Sequence, residues 1–274
     1  MGYTNYSLVH VSVEEGIARV VIDNPPINIF TAELYAEMLR LSEELALDDE
    51  VRVVVVSSAN PEFFIAHFDV GLILEFPERQ APTELHEYHR MCERMRTMGK
   101  ATIAVIEGRV GGGGSEFAAS FDMRYALRGG AVFNQPEVAL GILPGGSGTV
   151  RLSRLIGRSR AMEVILGCDD IDADTAERWG WVNRTLNADE LWPFVDRMAR
   201  RISSFPPNAV REAKASILNN DHNVPQDLLA EAAGFARLIK DPRAIAAMTN
   251  FMNRGGQTRE GELRLGALCD EIND

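Results

Sequence analysis

The chain has 274 residues, 46% of them hydrophobic, and a formal net charge of −12. That length and apolar content bury a sizeable core in one domain, with room for a helical appendage. The acidic balance excludes a general nucleic-acid or anionic-membrane surface, which needs a basic stripe, so an anionic small ligand has to find local donors.

In chain order, "YSLVHVSVEEGIARVVID" (6–23) alternates its side chains around Glu14-Glu15-Gly16 and predicts a β-hairpin. In "TAELYAEMLRLSEELALD" (31–48), Leu34, Met38, Leu41 and Leu45 recur at helical spacing behind Thr31 as a cap. The run "VRVVVVSS" (51–58) reads as a strand buried on both faces, "ELHEYHRMCERMRTM" (84–98) as a second helix, and "ATIAVIEG" (101–108) as another fully apolar strand. Strand alternating with helix implies a layered α/β core. Past about residue 200 the strand signals cease, and Pro206, Pro207, Pro225 and Pro242 punctuate helical segments such as "DLLAEAAGFARLI" and "AIAAMTNFM". The chain therefore divides into a core of residues 1–200 and a helical region, 201–274.

The opening "MGYTNYSLVHVSVEEG" lacks a basic n-region and an apolar core, Tyr6 stands where myristoylation takes Ser or Thr, and no apolar run approaches roughly 18 residues. No membrane association is expected. Cys92, Cys168 and Cys269 are widely spaced, odd in number and without a CxxC pair, which argues against a disulfide framework or a zinc site and for a reducing, cytoplasmic setting. His86 and His89 lie three apart on the predicted second helix, but nothing completes a metal shell and a solvated face is the expected reading.

"GRVGGGGSEFAAS" (108–120) holds four consecutive glycines, Gly111 to Gly114, then Glu116. A flexible linker does not fit between a buried strand and the short helix that must pack against it. A phosphate loop fails because no Gly-Lys-[Ser/Thr] follows and Glu116 occupies the last glycine position of a GxGxxG starting at Gly111. Glycines at a strand-to-helix turn let backbone N–H groups approach a ligand, and the helix N-terminus adds positive partial charge, the machinery of an oxyanion hole.

That stretch, followed by "FNQPEVALGILPGGSGTVRLSRLIG" (133–157), resembles the signature of the enoyl-CoA hydratase/isomerase family, or crotonase superfamily. Gly108, Gly112 to Gly114, Glu116, Phe133, Pro136, Glu137, Gly141, Pro144, Gly145 and Arg151 stand in register with its glycine-rich and Pro-Glu segments. "NPPINIFTAELYAEMLRL", "FFIAHFDV" and "DADTAERWGWVN" are similar to three further family segments, so the resemblance spans roughly residues 10–200.

The resemblance implies a crotonase-like α/β spiral of β-β-α units with a C-terminal helical region, acting on an acyl-CoA thioester, without a tightly bound cofactor or metal. It makes the N–H groups of Phe68 and Gly113 the oxyanion donors and Glu116 and Glu137 the catalytic acids, and it assigns Ala66, Ile27 and Gly112 to the CoA part of the ligand. Two carboxylates sharing a water favour hydration of a 2-enoyl-CoA. Double-bond isomerisation, decarboxylation or thioester hydrolysis, and a non-catalytic binding protein on the same fold, are the alternatives. The family also implies a homotrimer or dimer of trimers, here through the apolar stripe Leu228, Leu229, Ala232, Phe235 and Leu238.

Three departures stand out. His67 replaces the glycine of the family's A-G-x-D segment, and a loop histidine facing solvent is expected, against a role in the substrate pocket. Pro25, Pro26 and Ile27 replace a basic residue that helps hold CoA phosphates, leaving Arg109, Arg151 and Lys100 as substitutes. The ending "TREGELRLGALCDEIND" is an acidic amphipathic helix in place of a basic-aromatic tail. The segment between Asp69 and Lys100, including Val70, Leu72, Ile73, Leu74, Phe76, Met91 and Met95, fits either an acyl pocket or plain helix packing.

Overall fold

The computed structural model describes residues 2–272. The amino-terminal alternation forms the hairpin: β1 (Val9–Glu14) and β2 (Ile17–Ile22) pair antiparallel, and Glu15 and Gly16 turn the chain with φ of 51° and 75°. Two successive positive φ values match the twist of a two-residue hairpin. Thr31 then caps α1 (Ala32–Leu47), its hydroxyl accepting the Leu34 N–H at 3.3 Å, and Leu34, Met38, Leu41 and Leu45 are buried.

Successive strand–strand–helix units follow. The first is β3 (Val53–Ser58), β4 (Phe63–Ile65) and α2 (Val70–Glu75), after which α3 (Glu87–Thr97) intervenes. The second is β5 (Ala101–Ile106), β6 (Arg109–Gly111) and α4 (Gly112–Ala119); the third is β7 (Met123–Leu127), β8 (Val132–Asn134) and α5 (Gly148–Ile156). Then come α6 (Arg158–Gly167), β9 (Ile171–Asp172), α7 (Ala173–Trp179), β10 (Arg184–Leu186) and α8 (Ala188–Ser203). The first strand of each unit enters a sheet ordered β1-β2-β3-β5-β7-β10, and the second enters a sheet ordered β4-β6-β8-β9. This alternation between two sheets is the expected β-β-α spiral.

The period of two in the strands decides which side each residue serves. Val54, Val56, Ala104 and Ile106 face α1 and α3, while Val53, Val55, Ile103 and Val105 meet Leu191, Val195 and Ala199 of α8. Burial on both faces is why these strands read as unbroken apolar runs.

The helical region comprises α9 (Pro207–Leu218), α10 (Val224–Leu238), α11 (Pro242–Asn253), α12 (Arg259–Glu262) and α13 (Leu265–Ile272). It shares one buried cluster with the core, in which Val70, Ile73, Leu140 and Ile142 pack with Ile239, Met248, Phe251 and Leu268.

Four expectations change. The second helix starts at Glu87, with His86 in extended backbone as its cap, rather than at Glu84. A short strand, β6, stands between the buried strand β5 and the helix that the glycines open. The acidic ending is two short helices, with the break directly after Glu262, which turns inward to bond His67; its last two residues lie outside the described residues. The stripe on α10 packs in part within the chain: Leu228 packs with Val150 and Val224, and Phe235 and Leu238 pack on the shared cluster, while Leu229, Phe235 and Leu238 stay half-buried.

Glycine substitutions separate close packing from helix propensity. A Cβ on Gly114 would sit 2.7 Å from the Ile65 Cβ and nearer still to its carbonyl, whereas a Cβ on the exposed Gly167 of α6 meets nothing within 4 Å. Gly114→Ala is expected to destabilise by about 1–3 kcal/mol and Gly167→Ala to stabilise by about 0.5–1 kcal/mol. Urea midpoints moving in the same direction for both variants would contradict this packing.

Candidate active site

The glycine run ends β6 and begins α4, pressed against residues 65–68. A Cβ on Gly111 would lie 2.7 Å from the Ala66 carbonyl, and one on Gly113 would lie 3.1 Å from Phe68 Cβ and 3.4 Å from Phe68 N. Phe68 is held by a parallel bridge to Phe30, in which the Phe30 N–H donates to the His67 carbonyl at 2.9 Å and the Asp69 N–H to the Phe30 carbonyl at 3.1 Å. That pattern leaves the N–H of Phe68 out of the bridge. Among the described residues, neither the Phe68 N–H nor the Gly113 N–H has an acceptor in the chain. Two neighbouring unpaired donors at a helix N-terminus form a ready anion cradle, and the Tyr88 hydroxyl, donating to the Gly113 carbonyl, steadies it.

Both predicted acids line the same cavity. Glu116 lies in the second turn of α4, and its Oε1 accepts from the N–H groups of Gly146 at 2.9 Å and Gly148 at 2.7 Å. A Cβ at Gly146 would fall 2.6 Å from Glu116 Oε2, so this glycine makes room for the carboxylate. Glu137 follows Pro136 and accepts from Gln135 Nε2 at 3.1 Å. Burial, then the neighbouring Glu231 carboxylate, push Glu116 up to about 8; burial, then Glu116 itself, push Glu137 up to about 8.

Glu231, on α10, was not singled out by sequence reasoning. Its Oε2 accepts from the Thr149 N–H at 2.9 Å, the Val150 N–H at 3.3 Å and the Thr149 hydroxyl, so successive N–H groups at the start of α5 hold Glu116 and Glu231 side by side. Burial raises its pKa to about 7 against these bonds. The available signal was position: Glu231 follows Leu228 by three on the buried stripe.

The histidine expectations are corrected. His67 does not face solvent: it is 3% exposed, lines the cavity and bonds Glu262 Oε1 through Nε2 at 3.0 Å. Burial opposes its charge, but the Glu262 carboxylate prevails and raises it to about 9. His89 is buried and His86 stacks on it at 3.8 Å, so they form no solvated face; burial, reinforced by Arg151 for His89 and by His89 for His86, lowers both to about 4. Among the described residues no group of three metal-ligating side chains occurs.

The substitute cations are committed elsewhere. Arg109 pairs with Asp170, Arg151 is buried against Glu93 at 2.6 Å, and Lys100 is buried on the carbonyls of Leu45 and Asp48. Arg79, stacked over Phe76 at 4.3 Å, lines the cavity instead. Ala66 and Ile27 share a small apolar cluster outside the cavity, the Ala66 N–H bonding the Ile27 carbonyl at 3.2 Å. Gly112 lies beneath it, where a Cβ would sit 2.9 Å from both Glu137 Oε1 and His67 Cβ.

The cavity measures about 520 Å³. Val70, Leu72, Ile73 and Phe76 line it as an acyl pocket requires, while Met91 and Met95 belong to the core and Leu74 packs on the shared cluster. Ala232, Phe235 and Ala236 of α10 form one wall of the cavity, and the first two belong to the stripe that the sequence analysis offered to another subunit.

The family described as enoyl-CoA hydratase/isomerase matches residues 12–258. A short-chain-enoyl-CoA hydratase of Clostridium acetobutylicum is 32% identical over 244 residues, covering 88% of this chain and 93% of the relative. A crotonyl-CoA hydratase of Syntrophomonas wolfei is 30% identical over 91% of this chain and 96% of its own length. A crystal structure from Streptomyces avermitilis, provisionally described as an enoyl-CoA hydratase, superposes with a TM-score of 0.90 at 38% identity, covering 98% of this chain and 99% of that one.

The raised groups set a pH dependence of stability. His86 and His89, lowered to about 4, are half-titrated in the unfolded chain at 6.5, so they add an opposing slope that fades by about pH 7.5 and is smaller than that of the raised groups. Between about pH 6.5 and 8 the folded state keeps protons on Glu116, Glu137, Glu231 and His67 that the unfolded chain has released, so stability falls as pH rises. Glu116→Gln should make the fall shallower. Denaturation midpoints rising from pH 6.5 to 8, or an unchanged slope in the variant, would contradict the assignment.

Proposed function

Because this chain belongs to the enoyl-CoA hydratase/isomerase family, we propose that it is an enoyl-CoA hydratase whose Glu116 and Glu137 add water syn across the double bond of a 2-enoyl-CoA thioester. The observation that carries this reading is the presence of two buried carboxyl groups, both raised toward neutrality, in one cavity beside two backbone donors unpaired among the described residues. As pH rises toward 8 one of them gives up its proton, and its charge holds the proton on the other, so the reacting state is the singly ionised pair.

In that state the ionised glutamate takes a proton from the water as its oxygen attacks Cβ. Electron density moves through Cα to the thioester oxygen, where the N–H groups of Phe68 and Gly113 hold the developing enolate charge. The enolate collapses as Cα takes the proton of the other glutamate, and the proton won from water restores the pair. Removing one such donor costs about 2.7–4 kcal/mol in comparable oxyanion holes. The chemistry asks for no cofactor beyond the CoA that is part of the substrate, and its adenosine and phosphates supply remote binding energy.

The core of residues 1–200 carries the acids and donors in this reading, and residues 201–274 close the acyl pocket. A homotrimer or dimer of trimers belongs to the same proposal. Its support is the apolar side chains left exposed, among them Leu47 of α1, Met162 and Leu166 of α6 and Ile217 of α9. A reducing, cytoplasmic setting also belongs to it, supported by three free, buried cysteines.

Glu116→Gln and Glu137→Gln should each slow hydration by about 10² to 10⁴ while leaving the Kd of a product-like CoA ester nearly unchanged. The assay is loss of conjugated absorbance over enoyl-CoA substrates of varied chain length and aromaticity, with labelled water delivering its oxygen to Cβ. Turnover that survives Glu116→Gln without oxygen incorporation would make the enzyme an isomerase, which needs one carboxylate to move a proton between carbons.

A further inference from the structure

The carboxy-terminal turn is bonded to the loop that carries Phe68. His67 Nδ1 lies 2.7 Å from the Phe68 carbonyl and Nε2 3.0 Å from Glu262 Oε1. Both ring nitrogens face acceptors, a carbonyl and a carboxylate, so both donate and the ring is an imidazolium. Glu262 Oε1 also accepts the Gln257 N–H at 2.8 Å. The Gln257 side chain in turn accepts the Val70 N–H at 2.6 Å and donates to Asp69 Oδ1 at 3.1 Å. The bonds at His67, Asp69 and Val70 therefore flank Phe68 on both sides and all run to residues 257–262.

A buried ion pair is poor value as pure stabilisation, since removing both charges from water offsets most of their attraction. The family pattern at position 67, a glycine, needs no such pair. What the pair and Gln257 do supply is a fixed orientation of the Phe68 peptide.

We propose that His67, Glu262 and Gln257 are positioning residues: the carboxy-terminal turn clamps residues 67–70 so that the Phe68 N–H stays aimed beside the Gly113 N–H. This rests on the reading of those two groups as oxyanion donors. A displacement of about 1 Å in such a donor costs on the order of 10²-fold in rate, so the clamp acts on kcat more than on binding.

The test uses the full-length protein with crotonyl-CoA, or cinnamoyl-CoA if it turns over faster. Glu262→Gln and His67→Gln should each lower kcat by about 10–100-fold with KM within about threefold. The double variant restores a neutral hydrogen-bonding pair, and it should be no slower than the worse single variant. Folded single variants with kcat within about twofold of the parent, or a double variant whose loss equals the product of the two single losses, would overturn the clamp. Gln257→Ala strands no charge and should lower kcat by about 3–10-fold in the same sense; it carries the test if the single charge removals do not fold. If the parent protein hydrates no enoyl-CoA, the hydratase reading fails by itself, and hydrogen exchange of the amides of residues 66–72 decides the clamp. Exchange at least about tenfold faster in Glu262→Gln or Gln257→Ala supports it, and unchanged exchange refutes it.

Discussion

The site depends on one close approach of backbone to backbone. The glycines opening α4 lie against residues 65–68 at distances that admit no Cβ at Gly111 or Gly114. Because strand β6 pairs with β4 and runs directly into that helix, the two chain segments cannot separate without breaking the second sheet. The consequence is chemical: the N–H of Phe68, which the bridge to Phe30 leaves out, and the N–H of Gly113 end up side by side without acceptors among the described residues. Buried donors are rarely left unpaired, and here the unpaired state is imposed by the packing of the glycines around it.

The acidic cluster is a balance between burial and backbone dipoles. Glu116, Glu137 and Glu231 are all withdrawn from water, which favours their neutral forms, while N–H groups of Gly146, Gly148, Thr149 and Val150 favour the charged ones. Burial wins, since all three are raised. Arg151 opposes the rise at Glu116, but its guanidinium is committed to Glu93, so it tempers the cluster without neutralising it. Acids poised near neutrality can hold and release a proton in one cycle.

The helical region contributes more than a cover. α10 supplies both a wall of the cavity and Glu231, and Gln257 and α12's Glu262 bond the loop of residues 67–70. Much of an apolar stripe that a lone helix would expose is used inside the chain. The site is thus assembled from residues far apart in the chain, as with His67 and Glu262, 195 positions apart.

Local pattern sufficed for the hairpin, for α1 with its Thr31 cap, and for β3 and β5, because alternation, helical spacing and doubly buried apolar runs act over a few residues. The glycine run and the spacing of Glu116 and Glu137 made the fold and the paired acids legible for a similar reason: each motif needs particular residue types at a turn. What escaped was everything set by partners distant in the chain. His67 read as a solvent-facing loop residue because Glu262 lies far along the sequence, and Arg109, Arg151 and Lys100 read as free cations because Asp170, Glu93 and two carbonyls consume them only after folding. Glu231 and the wall of α10 were invisible on the same ground. Sequence by itself determined the elements and, through the resemblance to the family, which groups are candidates for the chemistry; tertiary structure alone decided which charges are buried, paired or left facing the cavity, because desolvation and Coulomb terms depend on distances that no local pattern encodes.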